Sequence, residues 1–248
     1  MTTLISFSRF EVRRTLRNRQ FVFFSLVMPI LFYFIFLKVN GANLQMEGTT
    51  WKTYFLMSMA AFSVVGSSLF GLAGRISYER TQGWLRLVQT TPMSSSSYVV
   101  SKFVSQVIIC ALSVIILFVV GGLSQGVSLT VGQWVVSLIW LSLGVLPFMS
   151  LGLLIGVLGN VNASSSIANI VNLVLAMLGG LWFPVTIMPK WMQSLAHYTP
   201  TYRFAHVAWN VVAGKSATFT DVTVLAGYLV LFVLLTIAVL NRQEATTL

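Results

Sequence analysis

Five carboxylates, two histidines and one cysteine are all that the 248-residue chain offers to acid–base, metal or nucleophilic chemistry. The acids are Glu11, Glu47, Glu79, Asp221 and Glu244. None is expected inside an apolar segment. The carboxylate cluster of a metal-dependent membrane enzyme is therefore missing, as is the intramembrane acid of an ion-driven carrier. His197 and His206 stand far apart with no carboxylate or cysteine beside them in sequence, so no metal site is expected. Gly214-Lys215-Ser216 superficially resembles the end of a phosphate-binding loop. The position that should hold the first glycine of such a loop is Trp209, and the match fails. Cys110 lies in an apolar run and reads as a small packing residue. No catalytic residue is assigned, and the chemistry left to this chain is recognition and movement.

Two groups of residues fit that role. The first is neutral: Asn162, Ser166, Asn169 and Asn172, with Ser165 between them. Their helical spacing puts much of the set on one side. They form either the polar wall of a translocation path or interhelical hydrogen bonds worth about 1 kcal/mol each. The second group is the stretch from Arg75 to Lys102, containing Glu79, Gly83, Trp84, Leu85, Arg86, Leu87 and Pro92. Leu85 and Leu87 could enter a groove on a soluble partner while Arg86 pairs at its rim. A plain turn would need fewer residues.

The elements that position these groups follow from composition. Charged residues make up 8% of the chain and mean hydropathy is +0.86. Soluble domains carry about 25% charged residues. No Asp, Glu, Lys or Arg occurs between Lys102 and Lys190. A hydrocarbon core of about 30 Å needs roughly 20 helical residues per crossing, so this run alone is long enough for several. Six spans are expected: 21–37, 54–74, 99–122, 134–158, 165–183 and 222–240. The first is long for a secretory signal and lacks a small-residue cleavage site after Lys38, so it is expected to be retained. The runs are continuous rather than alternating, which favours helices over a barrel. Gly152 and Gly156 form a small-xxx-small pair suited to close helix packing. Pro29 and Pro147 are candidate kinks.

Charge sets the orientation. Arg9, Arg13, Arg14, Arg17, Arg19, Arg75, Arg80, Arg86, Lys102 and Arg242 fall on one side. The smaller set Lys38, Lys52, Lys190, Arg203 and Lys215 falls on the other. The positive-inside rule then puts both termini in the cytoplasm. The net charge of +10 reads as topogenic and headgroup-directed, and no nucleic-acid partner is expected. In residues 1–20, Arg9, Arg13, Arg14 and Arg17 share one helical arc, with Leu4, Ile5, Val12 and Leu16 on the other. This predicts an amphipathic helix in the cytoplasmic interface. Residues 184–221, rich in Pro, Trp and Tyr, predict two short helices dipping into the outer interface, over 190–198 and 202–212. The whole of 1–248 is expected to form one domain.

Three stretches together resemble the permeases of the ABC-2 family of ATP-binding-cassette exporters. One is the basic entry Phe10-Glu11-Val12-Arg13-Arg14 leading into a Pro29-containing span. The most specific is Glu79-Arg80-Thr81-Gln82-Gly83-Trp84-Leu85-Arg86-Leu87-Val88-Gln89-Thr90-Thr91-Pro92-Met93-Ser94 with the trailing Lys102. Here Trp84 stands where the family usually has a small hydroxyl residue. The third runs from Phe183-Pro184 through Pro189 to Tyr198-Thr199-Pro200. The likeness covers essentially the whole chain. It implies an all-α membrane protein of six transmembrane helices with a cytoplasmic coupling helix within 75–98, between the second and third spans. It also implies a pore of two permease chains, expected to be copies of each other, in a prokaryotic plasma membrane. Two copies of a separate cytoplasmic ATPase would bind the ATP and Mg²⁺, and this chain would hold no cofactor. Glu79, Gly83, Trp84, Leu85, Arg86, Leu87 and Pro92 carry the coupling role by this resemblance. Small members of the family resemble drug, antibiotic and amphipathic-peptide exporters. Lipid-linked glycan or sodium export is the alternative within the family, and a membrane-embedded enzyme a more remote one.

Overall fold

The computed structural model describes residues 9–15, 17–83 and 95–245. Residues 9–15 form a helix, α1. The next helix begins as α2 (Arg19–Val22), widens into a π-helical turn over Phe23–Val27 and continues as α3 (Met28–Asn40). Pro29 explains the irregularity. It has no N–H to give to the carbonyl of Ser25, four residues earlier. That carbonyl instead accepts the Ser63 hydroxyl from the neighbouring helix. The kink expected at Pro29 is thus present as a π turn whose orphaned acceptor is met from outside.

A two-stranded hairpin, β1 (Gln45–Met46) and β2 (Thr49–Thr50), follows. It is the one departure from an all-helical fold among the described residues. Its turn uses Glu47 and Gly48, both at positive φ.

The centre of the molecule is α4 (Trp51–Thr81), which is buried along most of its length. Around it stand α5 (Ser95–Gln125), α6 (Val131–Leu143), α7 (Leu146–Leu158) and α8 (Val161–Leu178), while α11 (Phe219–Ala245) packs on the far side of α7. The described residues contain five helical stretches long and apolar enough to cross a membrane, with α6 and α7 together making one of them. The first apolar helix, Ser25–Asn40, is shorter. Where sequence predicts a kinked fourth span, the chain breaks between α6 and α7 at Gly144 and Val145, just before Pro147. A side chain on Gly144 would meet the Trp140 carbonyl at 2.9 Å and the Phe204 ring at 3.1 Å.

The Gly152/Gly156 pair lets α7 lie against α4, backbone on backbone. A Cβ on Gly152 would stand 2.9 Å from the Ser68 carbonyl oxygen, and one on Gly156 2.9 Å from that of Ala73. Such contact is what small residues provide where lipid removes the hydrophobic drive to pack.

Between α8 and α11 the expected pair of short helices is present with shifted bounds, as α9 (Lys190–Ala196) and α10 (Pro200–Val212). Pro200 suits the first turn of α10, where its missing N–H costs nothing, and the Thr199 hydroxyl accepts from the Tyr202 amide at 3.3 Å. The amphipathic α10 is drawn inward. Trp209 stacks on Tyr54 at 4.7 Å and donates to the Ser58 hydroxyl at 2.9 Å.

The stretch expected as a loop over 75–98 is shorter. Arg75–Thr81 continue α4, and α5 already begins at Ser95. The apolar helices run on past the core thickness and carry charged residues at their ends. Glu79 and Asp221 therefore lie on helices, where composition alone suggested loops, and Lys102 lies within α5, inside the expected third span.

The close contact between α4 and α7 predicts that Gly156→Ala, which forces a Cβ onto the Ala73 carbonyl, lowers stability by about 1–3 kcal/mol. The measurement is the unfolding midpoint of the purified chain. Gly122→Ala, at a site open to space, should leave that midpoint unchanged.

Candidate functional site: a buried ion cluster and the cavity beside it

At the end of the molecule where α1 and the last turn of α11 lie, three elements converge on two carboxylates. Glu11 comes from α1 and Glu79 from the last turn of α4. Lys102, one turn past Tyr98 in α5, sits between them. Its Nζ lies 2.8 Å from Glu11 Oε1 and 2.6 Å from Glu79 Oε1. The Lys102 side chain is 1% exposed and each carboxylate side chain 2%. Arg75 Nη1 lies 3.3 Å from Glu11 Oε2 and donates to the Thr15 hydroxyl at 2.7 Å. Tyr98 donates its hydroxyl proton to Glu79 Oε2. Arg14, 39% exposed, reaches Glu79 Oε1 at 3.2 Å from the rim.

Ions so deep need partners on every side, since each unpaired one costs several kcal/mol. Here two negative charges meet three positive ones, and hydroxyls take the remaining lone pairs. A second set of bonds ties the end of α11 to the same place. Arg80 donates to the Val157 carbonyl and to Gln243 Oε1, the latter at 2.9 Å.

From this cluster a line of polar contacts runs inward along α4 and α5. Arg75 Nη2 donates to Gln106 Oε1 at 2.5 Å. Gln106 Nε2 reaches Cys110 Sγ at 3.8 Å, and that sulfur stands 3.4 Å from Ser68 Oγ and 3.7 Å from Ser67 Oγ. Ser67 lines a cavity of about 300 Å³ enclosed by the first apolar helix, α4, α8 and Trp182. Its walls are aromatic, from Phe21, Phe32, Phe62, Phe70 and Trp182. The polar lining comes from Ser25, Ser63, Ser67, Asn169 and Asn172, and no lining side chain is charged. Ser25 Oγ, Asn172 Oδ1 and Trp182 Nε1 are buried without a hydrogen-bond partner among the described residues. Gly66 makes room for Asn172, whose Nδ2 would lie 2.9 Å from a Cβ there.

The residues picked from sequence divide as follows. Asn169 and Asn172 line the cavity; Asn162 and Ser166 do not, and both are exposed on α8. Glu79 is in the ion cluster. Gly83 ends α4 with a left-handed φ of 67°. Trp84, Leu85, Arg86, Leu87 and Pro92 lie outside the described residues. Arg9, Arg13 and Arg17 are exposed, and Arg14, exposed as well, is engaged by Glu79. The reading of α1 as apolar on one arc and basic on the other needs correction. Its most buried side chains are Glu11 and Thr15, four apart on one face.

At the opposite end, His206 does have a carboxylate beside it, contrary to the sequence reading. Asp221 is fully buried, with Oδ2 2.8 Å from His206 Nδ1 and Oδ1 3.0 Å from Arg203 Nη1. Arg203 Nε also donates to the His197 carbonyl at 2.7 Å. Tyr202 stacks on His206 with ring centres 5.2 Å apart, and burial raises its phenol pKa, helped by Glu47. This set pins α10 to the first turn of α11. Among the described residues no three His, Cys, Asp or Glu side chains gather as a metal site.

Long apolar helices, most of them exposed outward, surround one buried helix and an uncharged cavity, with ion clusters at two ends. The model of the ABC-2 type transporter family matches residues 2–212. The chain belongs to that family. It is 38% identical over 235 residues to YvfS of Bacillus subtilis (strain 168), named as a transport permease, covering 95% of this chain and 96% of that protein. It is 28% identical over 194 residues to the linearmycin resistance permease protein LnrN of the same organism. That match takes in 72% of this chain and 46% of the longer relative. Family and relatives alike mark a transport permease rather than an enzyme.

Removing the Lys102 ammonium leaves two carboxylates buried side by side. Lys102→Ala is predicted to destabilise the protein by about 3–5 kcal/mol. Arg14→Ala, at the wet rim, should cost no more than about 1 kcal/mol. Denaturation midpoints of the two variants measured together test this order, and equal losses would contradict it.

Proposed function

We propose that this chain forms the membrane path of an exporter driven by a separate cytoplasmic ATP-binding-cassette ATPase. Two such ATPase chains serve two permease chains, the second a copy of this one, and ATP and Mg²⁺ are held by the ATPase. The observation that carries this reading is the ion cluster. It joins α1, the end of α4 and the start of α5, the elements that flank residues 84–94. A force applied there reaches the cavity through Arg75, Gln106, Cys110 and Ser67 without crossing an apolar gap. In this reading Glu79, Gly83, Trp84, Leu85, Arg86, Leu87 and Pro92 form the coupling site. Asn169 and Asn172 belong to the path, with Asn162 and Ser166 continuing it along α8 towards the second permease chain.

The cavity supports a hydrophobic or amphiphilic, uncharged cargo of the drug, antibiotic or peptide type. Its walls are aromatic, and its few polar groups are neutral. The relation to a permease named for linearmycin resistance supports the antibiotic type among these. Sodium export finds no carboxylate among the lining residues.

The first apolar helix, taken from Arg19 to Asn40, is long enough for a sixth crossing at 1.5 Å per residue. With six crossings and the arginine-rich end facing the cytoplasm, both termini lie inside and α9 and α10 lie at the outer interface. The membrane is then the plasma membrane of a prokaryotic cell, and the 1–248 chain acts as a single transmembrane domain.

Two measurements test the proposal. In the permease–ATPase complex, combined Leu85→Ala and Arg86→Ala should abolish substrate-stimulated ATP hydrolysis while the protein still inserts in the membrane. Undiminished transport would falsify the coupling assignment. Single cysteines at positions 83 and 200 should be labelled from opposite faces of sealed vesicles, with position 83 on the cytoplasmic face. Labelling of both from one face would refute the topology.

A further inference from the structure

A groove of about 560 Å³ lies between α6 and α10, at the end of the molecule away from the ion cluster. The two helices are antiparallel neighbours here, so the groove follows the start of one and the finish of the other. Its lining changes character along that course. Thr130, Lys215 and Ser216 lie at one end, where α6 starts and α10 has finished, while Val136, Val207 and Val211 line it along the two helices.

The polar side chains deeper in are already committed. Gln133 Nε2 donates to the carbonyls of Val211 and Val212 at 3.1 and 3.3 Å, and Trp140 Nε1 to that of Phe204 at 2.8 Å. The interior therefore presents hydrocarbon. At the polar end, the exposed Lys215 ammonium has no ion pair or hydrogen bond among the described residues. The acid of α11, Asp221, is held by Arg203 and His206. A lone cation above an apolar slot, at the level where a membrane-spanning helix begins, complements one negative charge carried on a hydrocarbon tail.

We propose that this groove holds one acyl chain of a single anionic phospholipid, with its phosphate on Lys215. The lipid wedges α10 against α6 and thereby steadies the α10–α11 corner that Asp221 pins. This inference needs the chain to lie in a membrane, but not the ATPase coupling or the sidedness proposed above.

The test uses the full-length chain in detergent, incubated with equal amounts of phosphatidylglycerol and phosphatidylcholine of matched chains and examined by native mass spectrometry. The chain should retain phosphatidylglycerol with a preference of about 5-fold, the value of one lysine–phosphate attraction. Lys215→Glu should erase the part of that preference due to this site at an unchanged unfolding midpoint. Val211→Trp, which fills the slot and keeps the charge, should lower retention of the bound lipid. Equal retention of both lipids by the natural chain, or an undiminished preference in Lys215→Glu, would overturn the proposal. So would a change in oligomeric mass with Val211→Trp at unchanged lipid content, which would make the occupant a second copy.

Discussion

One ammonium holds apart two carboxylates that could not otherwise share a dry space. Lys102 is the only described cation within 3 Å of both Glu11 and Glu79, and those acids come from segments far apart in the chain. The arrangement makes separation costly in either direction. Withdrawing α1 takes Glu11 from Lys102 and Arg75 together, and shifting α5 takes the shared ammonium from both acids, leaving Glu11 to Arg75 and Glu79 to the half-exposed Arg14. In a low-dielectric setting such a rupture costs more than the packing around it returns. Three elements at this end are therefore compelled to move as one body. The second ion set, Arg203–Asp221–His206, imposes the same condition on α10 and α11 at the far end.

Between these two clamped ends the interior is apolar, with scattered polar groups that are neutral. Along α4, Ser58 and Ser67 donate to carbonyls within the helix, Ser68 meets Cys110 of α5, and Ser63 donates to the Ser25 carbonyl; Gly152 and Gly156 bring α7 to backbone distance. The result is a central helix against which others pack by shape rather than by charge. Shape packing can be rearranged at modest cost, because no ion is stranded when helices slide. A transport permease needs that combination: stiff ends and a middle that can change its cross-section.

Much of this was legible in sequence, for physical reasons that differ by feature. Long uncharged runs can only be satisfied in lipid as helices, so the apolar elements were readable from length alone. The Gly152/Gly156 spacing announced close packing, and Pro29 and Pro147 marked the two irregular helices. The ion cluster was hidden because charge within an arginine-rich stretch reads as solvated surface. The available signal was the four-residue spacing of Glu11 and Thr15, on a face turned away from Arg9 and Arg13. Helical spacing put Asn162, Ser166, Asn169 and Asn172 on related faces. It carried no information on which of them reaches the cavity beside α4, and among them only Asn169 and Asn172 line it. The pairing of His206 with Asp221 joins positions on either side of a turn, and no periodicity encodes it.

The bond from the Ser63 hydroxyl to the Ser25 carbonyl has a consequence for any cargo. Pro29 leaves that carbonyl without a helical donor, and the substitute donor stands on the opposite wall of the same cavity. Prising the first apolar helix away from α4 to admit a molecule breaks the substitute bond and bares an acceptor in a hydrocarbon setting. Under the proposed role, a guest that entered this way would have to bring a proton donor of its own, or carry a water molecule in with it. A purely aliphatic guest would meet an energetic toll at the threshold that a hydroxylated or amide-bearing one would not.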